Sequence, residues 1–368
     1  IPCQTSTLLS EGEYRHLLTT GISLHPHPPV LLPPLHVASV CPLDDRLDRL
    51  IITGQRYTDR ERVGKGLYMD RYSSQWILPA SGDRYYCNVH LWNKGSKDRH
   101  RILCLPTDTA QIALGRCVDL GTGVEISPPS IVPGLEMHRG KNLSHGQMMA
   151  IVQGHLLIVS KDKRILMIDI PKAMADIEAG NTGIDIDDLG QTDALEMFYC
   201  QPCLYVLTEK EVVRIPQNTR RRGMRKSPSA QQSLHPHFGL LCRADTISAS
   251  RQYVYVTSVK VITVYRSVCL SPLVSASFEE LISPLGMNMY VSAHQIVDCL
   301  RRQMMMVVTY TGEVHLLSLL STGQGLRIGM VSSALICHNR LFSFRYSQGR
   351  AVIGGEGGTL LYLDMHRG

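Results

Sequence analysis

No apolar run in this chain approaches the eighteen or more residues that would carry a helix across a bilayer. The opening segment has neither the basic stretch nor the apolar core of a secretion signal. Its first residue is Ile1 rather than Met, as in a processed or trimmed piece. Charge of one sign is scarce: 38 Lys and Arg against 32 Asp and Glu leave a formal +6 over 368 residues, too little for a general nucleic-acid binder. Neither a Gly-x-Ser-x-Gly nucleophile elbow nor a phosphate loop ending in Gly-Lys-Ser/Thr occurs. Gly354-Gly-Glu-Gly-Gly358 has the letters of a dinucleotide loop, but such a loop must open a helix, and here an apolar strand follows. It reads as a hairpin turn. The eleven cysteines are an odd number, and Cys87, Cys104, Cys117, Cys200, Cys203 and Cys299 fall inside predicted strands. A thiol there packs as a small hydrophobe, which fits a reducing compartment, cytoplasm or nucleus, better than a disulfide framework.

What the chain does have is a repeat. A short apolar strand, a turn and a second apolar strand recur seven times. The first strands begin at Arg49, Arg101, His155, Cys203, Tyr253, Met304 and Arg350, with gaps of 52, 54, 48, 50, 51 and 46 residues. The clearest copies are His155-Leu-Leu-Ile-Val-Ser with Arg164-Ile-Leu-Met-Ile-Asp169, and Arg350-Ala-Val-Ile-Gly-Gly with Thr359-Leu-Leu-Tyr-Leu-Asp364. A fixed period of this size marks a repeat architecture whose units bury their faces only against one another. Hydrophobic residues at 44% and charged residues at 19% supply a core and exclude wholesale disorder. The run from Tyr253 to Tyr265 is dense in β-branched and aromatic residues, which excludes a helical solenoid.

The pattern of strand, polar turn with Asp or Gly, strand, then Asp resembles the WD40-repeat β-propellers. It is carried by Ser160-Lys-Asp-Lys with Ile168-Asp169, and by Gly355-Glu-Gly-Gly with Leu363-Asp364, rather than by any Trp-Asp dipeptide. The resemblance spans about 330 residues and implies an all-β, seven-bladed propeller with four strands, a to d, in each blade. A kelch-like propeller or a double sandwich is the alternative. The last blade runs out of chain after strand c, so residues in Ile22–Leu32 are expected to supply its outer strand beside Thr359–Leu363 and so close the ring. The expected division is an N-terminal extension with the closing strand over 1–34 and the propeller over 35–368. Ser10-Glu-Gly-Glu13 reads as a capping box opening a short helix.

Three interruptions of the repeat are candidate sites, because loops carry function on such a scaffold. Gln217–Pro236, after strand c of blade four, holds Arg220, Arg221, Arg222, Arg225 and Lys226 within seven positions and no interleaved aromatic residue. This basic loop, 219–227, is the candidate binding site for an acidic or phosphorylated partner; without aromatics for base stacking, nucleic acid is disfavoured. Ser227 before Pro228 is a candidate phosphorylation site. In the same connection of blade three, Pro171–Gly180 reads as a helix leading into an acidic run with Asp176, Glu178, Asp185, Asp187 and Asp188, which could pair with the basic loop. Gln55–Lys65 reads as a mixed-charge loop on the opposite face.

Cys200-Gln-Pro-Cys203 has zinc-ligand spacing, and His235, His237 and Cys242 could complete a set. A single such pair between two strands favours structural cysteines, so no metal and no cofactor is expected. Arg221-Arg222-Gly223 matches the letters of the phosphoinositide-binding propellers but lies in a polar loop. The expected function is a non-catalytic platform for protein–protein interaction, a subunit of a larger complex whose partners are other protein subunits. The alternative is a phosphate reader that binds RNA, phosphopeptide or anionic lipid through loop 219–227.

Overall fold

The computed structural model of the protein describes residues 8–33, 36–57, 62–70, 73–78, 90–93, 100–107, 110–121, 123–138, 149–208, 211–218, 223–224, 230–233, 244–258, 261–278, 281, 291–299 and 302–367. These residues form seven antiparallel sheets in chain order, the blades of a seven-bladed β-propeller. The inner strands, a, are His36–Pro42, His90–Asn93, Met149–Val152, Ala194–Cys200, Ala244–Ala249, Val291–Cys299 and Leu341–Ser347. Strands b are Arg49–Tyr57, His100–Pro106, His155–Val159, Cys203–Thr208, Tyr253–Ser258, Arg302–Thr309 and Arg350–Gly355. Strands c are Arg62–Asp70, Gln111–Asp119, Arg164–Asp169, Glu211–Asn218, Val261–Arg266, Glu313–Thr322 and Thr359–Arg367. From blade two onward each inner strand contacts the next, and that of blade seven contacts that of blade one.

The alternation of side chains along strand b explains why the blades must stack. In blade four, Leu204 and Val206 enter a core shared with Leu157 and Val159 of blade three. Cys203, Tyr205 and Leu207 enter the next core, with Val254 and Val256 of blade five. Because neighbouring residues of a strand point to opposite faces, a strand buried on both faces is apolar throughout. All six residues of Cys203–Thr208 are buried accordingly. The same division recurs at every seam, giving seven inter-blade cores. Each fully buried Leu, Ile or Val there contributes about 1.5–3 kcal/mol.

The ring closes as its sequence implies. Ile22–Pro26 pairs antiparallel with strand c of blade seven, from Ile22 opposite Arg367 to Pro26 opposite Leu363. Val30 and Leu31 then pair with Leu360 and Thr359. Helix α1 (Glu11–Thr20) carries the expected capping box: the Glu13 amide donates to Ser10 Oγ at 3.2 Å, and the Ser10 amide to Glu13 Oε2 at 2.8 Å. A second tie was not foreseen. Leu8–Ser10 adds a parallel strand to strand c of blade six, Leu8 opposite Leu319. Arg302 fastens it by donating to the Leu8 carbonyl at 3.1 Å and to Glu13, while Tyr14 Oη donates to the Met330 carbonyl at 2.9 Å. The N-terminal segment therefore clasps two consecutive blades.

Two expected loops prove to be partly strand. Around Gln55–Lys65 the hairpin of blade one continues, with Gln55 opposite Gly64, Arg56 opposite Val63 and Tyr57 opposite Arg62. Mixed charge on a hairpin extended beyond the body of a sheet does not prevent backbone pairing. Within Gln217–Pro236, Ala230–Ser233 is the outer strand of blade four, paired with Glu211–Arg214. Gln217 and Asn218 pair with Met224 and Gly223. The Gly354–Gly358 segment is the turn of the last hairpin, as expected.

That turn sits on the closing seam. Gly358 has φ +81°, and a Cβ there would lie 2.6 Å from the Leu32 carbonyl oxygen. The Leu32 amide donates to the Gly358 carbonyl at 2.9 Å. Two changes test the seam by thermal unfolding. Removing residues 1–34 should leave strand Thr359–Arg367 as an open edge and abolish cooperative unfolding; an unchanged melt would mean that closure lies elsewhere. Gly358→Ala should cost more than Gly121→Ala, which has φ +82° but no atom near its Cβ. Both pay about 1–2 kcal/mol for left-handed backbone, so equal losses would show that the Leu32 contact is unimportant.

Candidate interaction face

In an up-and-down blade the a–b and c–d connections emerge at one end and the b–c connections at the other. At the a–b/c–d end, strand b begins opposite the last residues of strand c. In three blades this position pairs a base with an acid: Arg49 opposite Asp70, His155 opposite Asp169 and Arg350 opposite Asp364. Asp169 and Asp364 are the Asp residues of the repeat pattern, and Asp70 holds the same place in blade one. Arg350 donates to Asp364 at 2.8 Å, and His27 lies 2.7 Å from the other carboxylate oxygen. Burial opposes ionisation of Asp364, but these two hydrogen bonds outweigh it and hold the carboxyl below the usual range.

Similar pairs strap blade to blade on this face. Arg350 reaches Asp48 of blade one at 3.3 Å. Arg49 makes a bidentate pair with Asp119 of blade two, at 3.0 and 2.6 Å. Arg116 of blade two grips Glu178 on the insertion of blade three, its second contact at 2.6 Å. The hydrogen bonds from Arg49 and Arg116 hold Asp119 and Glu178 below the normal carboxylate range.

The blade-three insertion contains the expected helix, α2 (Ile170–Glu178), capped by Asp169, which accepts from the Lys172 amide at 2.9 Å. Ile170, Ala173 and Met174 are buried against Val132 and Leu135 of blade two. Its acidic run is engaged locally: Glu178 by Arg116, Asp185 by Lys172 and Asp188 by Arg164. Arg220, Arg221, Arg222, Arg225 and Lys226 lie outside the described residues, as do His235, His237 and Cys242. Among the described residues no group of three potential metal ligands converges.

The seam between blades four and five differs. Here strand b begins with Cys203 opposite Pro216 in blade four, and with Tyr253 opposite Arg266 in blade five, so neither blade offers an acid. A cleft of about 420 Å³ opens at this point, lined by Cys200–Cys203, Tyr205, Arg214, Ser250, Arg251, Ser267 and Val268. Its floor is Tyr205, whose hydroxyl lies 3.5 Å from the Ser267 carbonyl across the seam. Arg214 stands opposite Tyr205 in register, and its positive charge favours the ionised forms of the Tyr205 hydroxyl and the Cys203 thiol. Ser267 Oγ donates to the Arg251 carbonyl at 2.6 Å, and the Ser267 amide to the Gln252 carbonyl at 2.9 Å, which fixes the turn carrying Arg251. Val268, 67% exposed, forms the rim with Gln201 and Pro202.

The sequence singled out the two cysteines of this cleft but not its arginines. They come from different blades, and no local pattern in the sequence joins them. Burial pushes the Cys200, Cys203 and Tyr205 acidities toward the protonated form, against the opposing influence of Arg251 on Cys200 and of Arg214 on Cys203 and Tyr205. The cleft therefore presents guanidinium donors rather than a thiolate nucleophile. On the opposite face, Phe342 stands edge-on to His36 and Tyr310, with centroids 6.3 and 6.2 Å away. Burial there lowers the His36 pKa, opposed by Glu356.

No family model and no curated protein sequence matches the chain. Solved structures do match it in fold. It aligns with BamB from Moraxella catarrhalis at a TM-score of 0.52 and 13% identity, over 93% of this chain and 98% of that one. It aligns with Chaetomium thermophilum Raptor at a TM-score of 0.58 and 8% identity, over 93% of this chain but only 30% of that one. The computationally designed Ika8 protein gives a TM-score of 0.53 at 11% identity, over 91% and 97%. At such identities these structures share its fold alone.

Cys41, Cys104, Cys117, Cys200, Cys203, Cys269 and Cys337 are free thiols, which allows a direct check of the face. Cys269, exposed beside the cleft rim, has its pKa lowered by hydrogen bonding to Ser271, whereas burial pushes Cys104 up to about 12. Alkylation of the native chain at neutral pH, read by peptide mass spectrometry, should label Cys269 first, Cys200 more slowly, and Cys203 and Cys104 only on unfolding. Equal labelling of Cys104 and Cys269 would contradict this packing.

Proposed function

We propose that this chain is a non-catalytic interaction platform, a cytoplasmic or nuclear subunit of a larger assembly, and that it engages partner proteins on the a–b/c–d face. The cleft between blades four and five carries this reading. Three other seams of the face are strapped by ion pairs, whereas this one is open and rimmed by exposed Val268, Pro202 and Gln201. An exposed apolar rim over a polar floor is the pattern of a recognition site, in which a buried anchor is surrounded by groups that exclude water. The protonated state of Cys200, Cys203 and Tyr205 supports binding over nucleophilic chemistry. Free buried thiols support the reducing location.

Affinity capture of the tagged chain, followed by mass spectrometry and sizing of the recovered complex, tests the proposal. Stoichiometric protein partners should be recovered, and Val268→Asp should release at least one of them without changing the melting temperature, since an exposed side chain costs little stability. A strictly monomeric chain, or capture indifferent to Val268→Asp, would overturn this assignment of the face.

A further inference from the structure

Arg214 and Arg251 reach the same cleft from different blades, Arg214 from strand c of blade four and Arg251 from the a–b turn of blade five. The described residues lining the cleft include these two cations and no carboxylate. Both are preset by their surroundings. Arg214 stands opposite Tyr205 in register on strand c, and Arg251 rides on a turn fixed by Ser267. Ser250 Oγ stiffens that turn further by accepting from the Gln252 and Tyr253 amides at 3.3 and 3.0 Å. Arg214 and Tyr205 are largely shielded from solvent while Arg251 stands at the mouth, so the charge runs from floor to rim.

We infer that the cleft between blades four and five binds the phosphoryl group of a phosphorylated segment of a partner protein, clamped between Arg214 and Arg251. A phosphoryl dianion balances two guanidinium charges, whereas one carboxylate leaves an excess, and guanidinium forks match phosphate oxygens in bidentate geometry. The volume of about 420 Å³ accommodates a modified side chain with its flanking backbone. Val268 and Pro202 at the rim offer apolar contact to a neighbouring side chain of that segment. Among the described lining residues base stacking finds no exposed ring, since Tyr205 is buried, and this favours a peptide over RNA. The inference rests on the platform reading and names the chemistry of one partner. It places that chemistry in a folded cleft rather than in the basic loop.

The test uses the whole chain and a fluorescein-labelled Gly-Val-phosphoserine-Pro-Gly peptide, followed by fluorescence anisotropy. Saturable binding should exceed that of the unphosphorylated peptide and should weaken about tenfold or more in Arg251→Glu, since charge-assisted hydrogen bonds are the strong ones. Arg251 is exposed, so that variant should melt like the wild type. Arg214→Lys, which keeps charge but loses the fork, gives a second reading if charge reversal disturbs the fold. A variant with Arg220, Arg221, Arg222, Arg225 and Lys226 changed to Ala should still bind. Binding indifferent to Arg251→Glu, or lost only in the five-site variant, would overturn the proposal. So would tighter binding through Arg251 of inorganic phosphate, a uridine oligonucleotide or phosphatidylserine vesicles. If the wild type ignores the phosphopeptide while Val268→Asp still releases captured partners, the phosphoryl assignment falls and the platform reading stands.

Discussion

Everything in this molecule depends on strand b being buried on both of its faces. Leu204 and Leu207 lie three positions apart at zero exposure, yet they belong to different cores, one shared with blade three and one with blade five. No blade can satisfy both faces alone, so stability belongs to the ring and not to its parts. A first and a last blade left apart would each expose one apolar sheet face. This is why the N-terminal segment runs back across the ends, adding Leu8–Ser10 to blade six and Ile22–Pro26 to blade seven. The glycines of the last hairpin belong to the same solution: Val37 of blade one packs where a Gly354 side chain would stand.

Ion pairs act as a secondary fastening on one rim of the ring. Arg350 illustrates the arrangement, since it joins strand c of its own blade through Asp364 and the next blade through Asp48. Exposed pairs of this kind contribute little each, and the apolar seams carry most of the stability. Their value lies in position, because they occupy turns that would otherwise open between blades. Between blades four and five, where Pro216 and Arg266 stand opposite the start of strand b, the turns leave a cleft lined by Arg214 and Arg251.

Much of the fold was legible because its determinants are periodic or local. The fifty-residue period recurs along the whole chain, while the apolar runs of strand b and the Ser10–Glu13 capping box each act within a few residues. Ring closure was readable for a different reason: blade seven lacked a strand and Ile22–Leu32 was unassigned. The parallel strand Leu8–Ser10 left no such vacancy, since blade six already had its outer strand, Gly325–Leu335. The outer strand Ala230–Ser233 was hidden by its polarity, because an outermost strand is not buried on both faces and need not be apolar. The cleft was the least legible feature. Arg214, Arg251 and Ser267 are scattered through about fifty residues, and only the stacking of two blades brings them together.

This separation of roles has a consequence for where the molecule can change. Substitution of a strand b residue perturbs the core that its side chain enters, so its cost falls on two blades at once. The turns at the blade ends touch at most one seam, and the four–five seam already does without the straps found elsewhere. Arg251 and Val268 are exposed residues on turns whose backbone is fixed by Ser250 and Ser267. Their side chains can therefore reorient while the backbone stays in place. A rigid turn bearing replaceable side chains, beside a core that tolerates little change, is what a recognition surface requires. In this chain the open seam meets that requirement through hydroxyl groups that hold the turn from within.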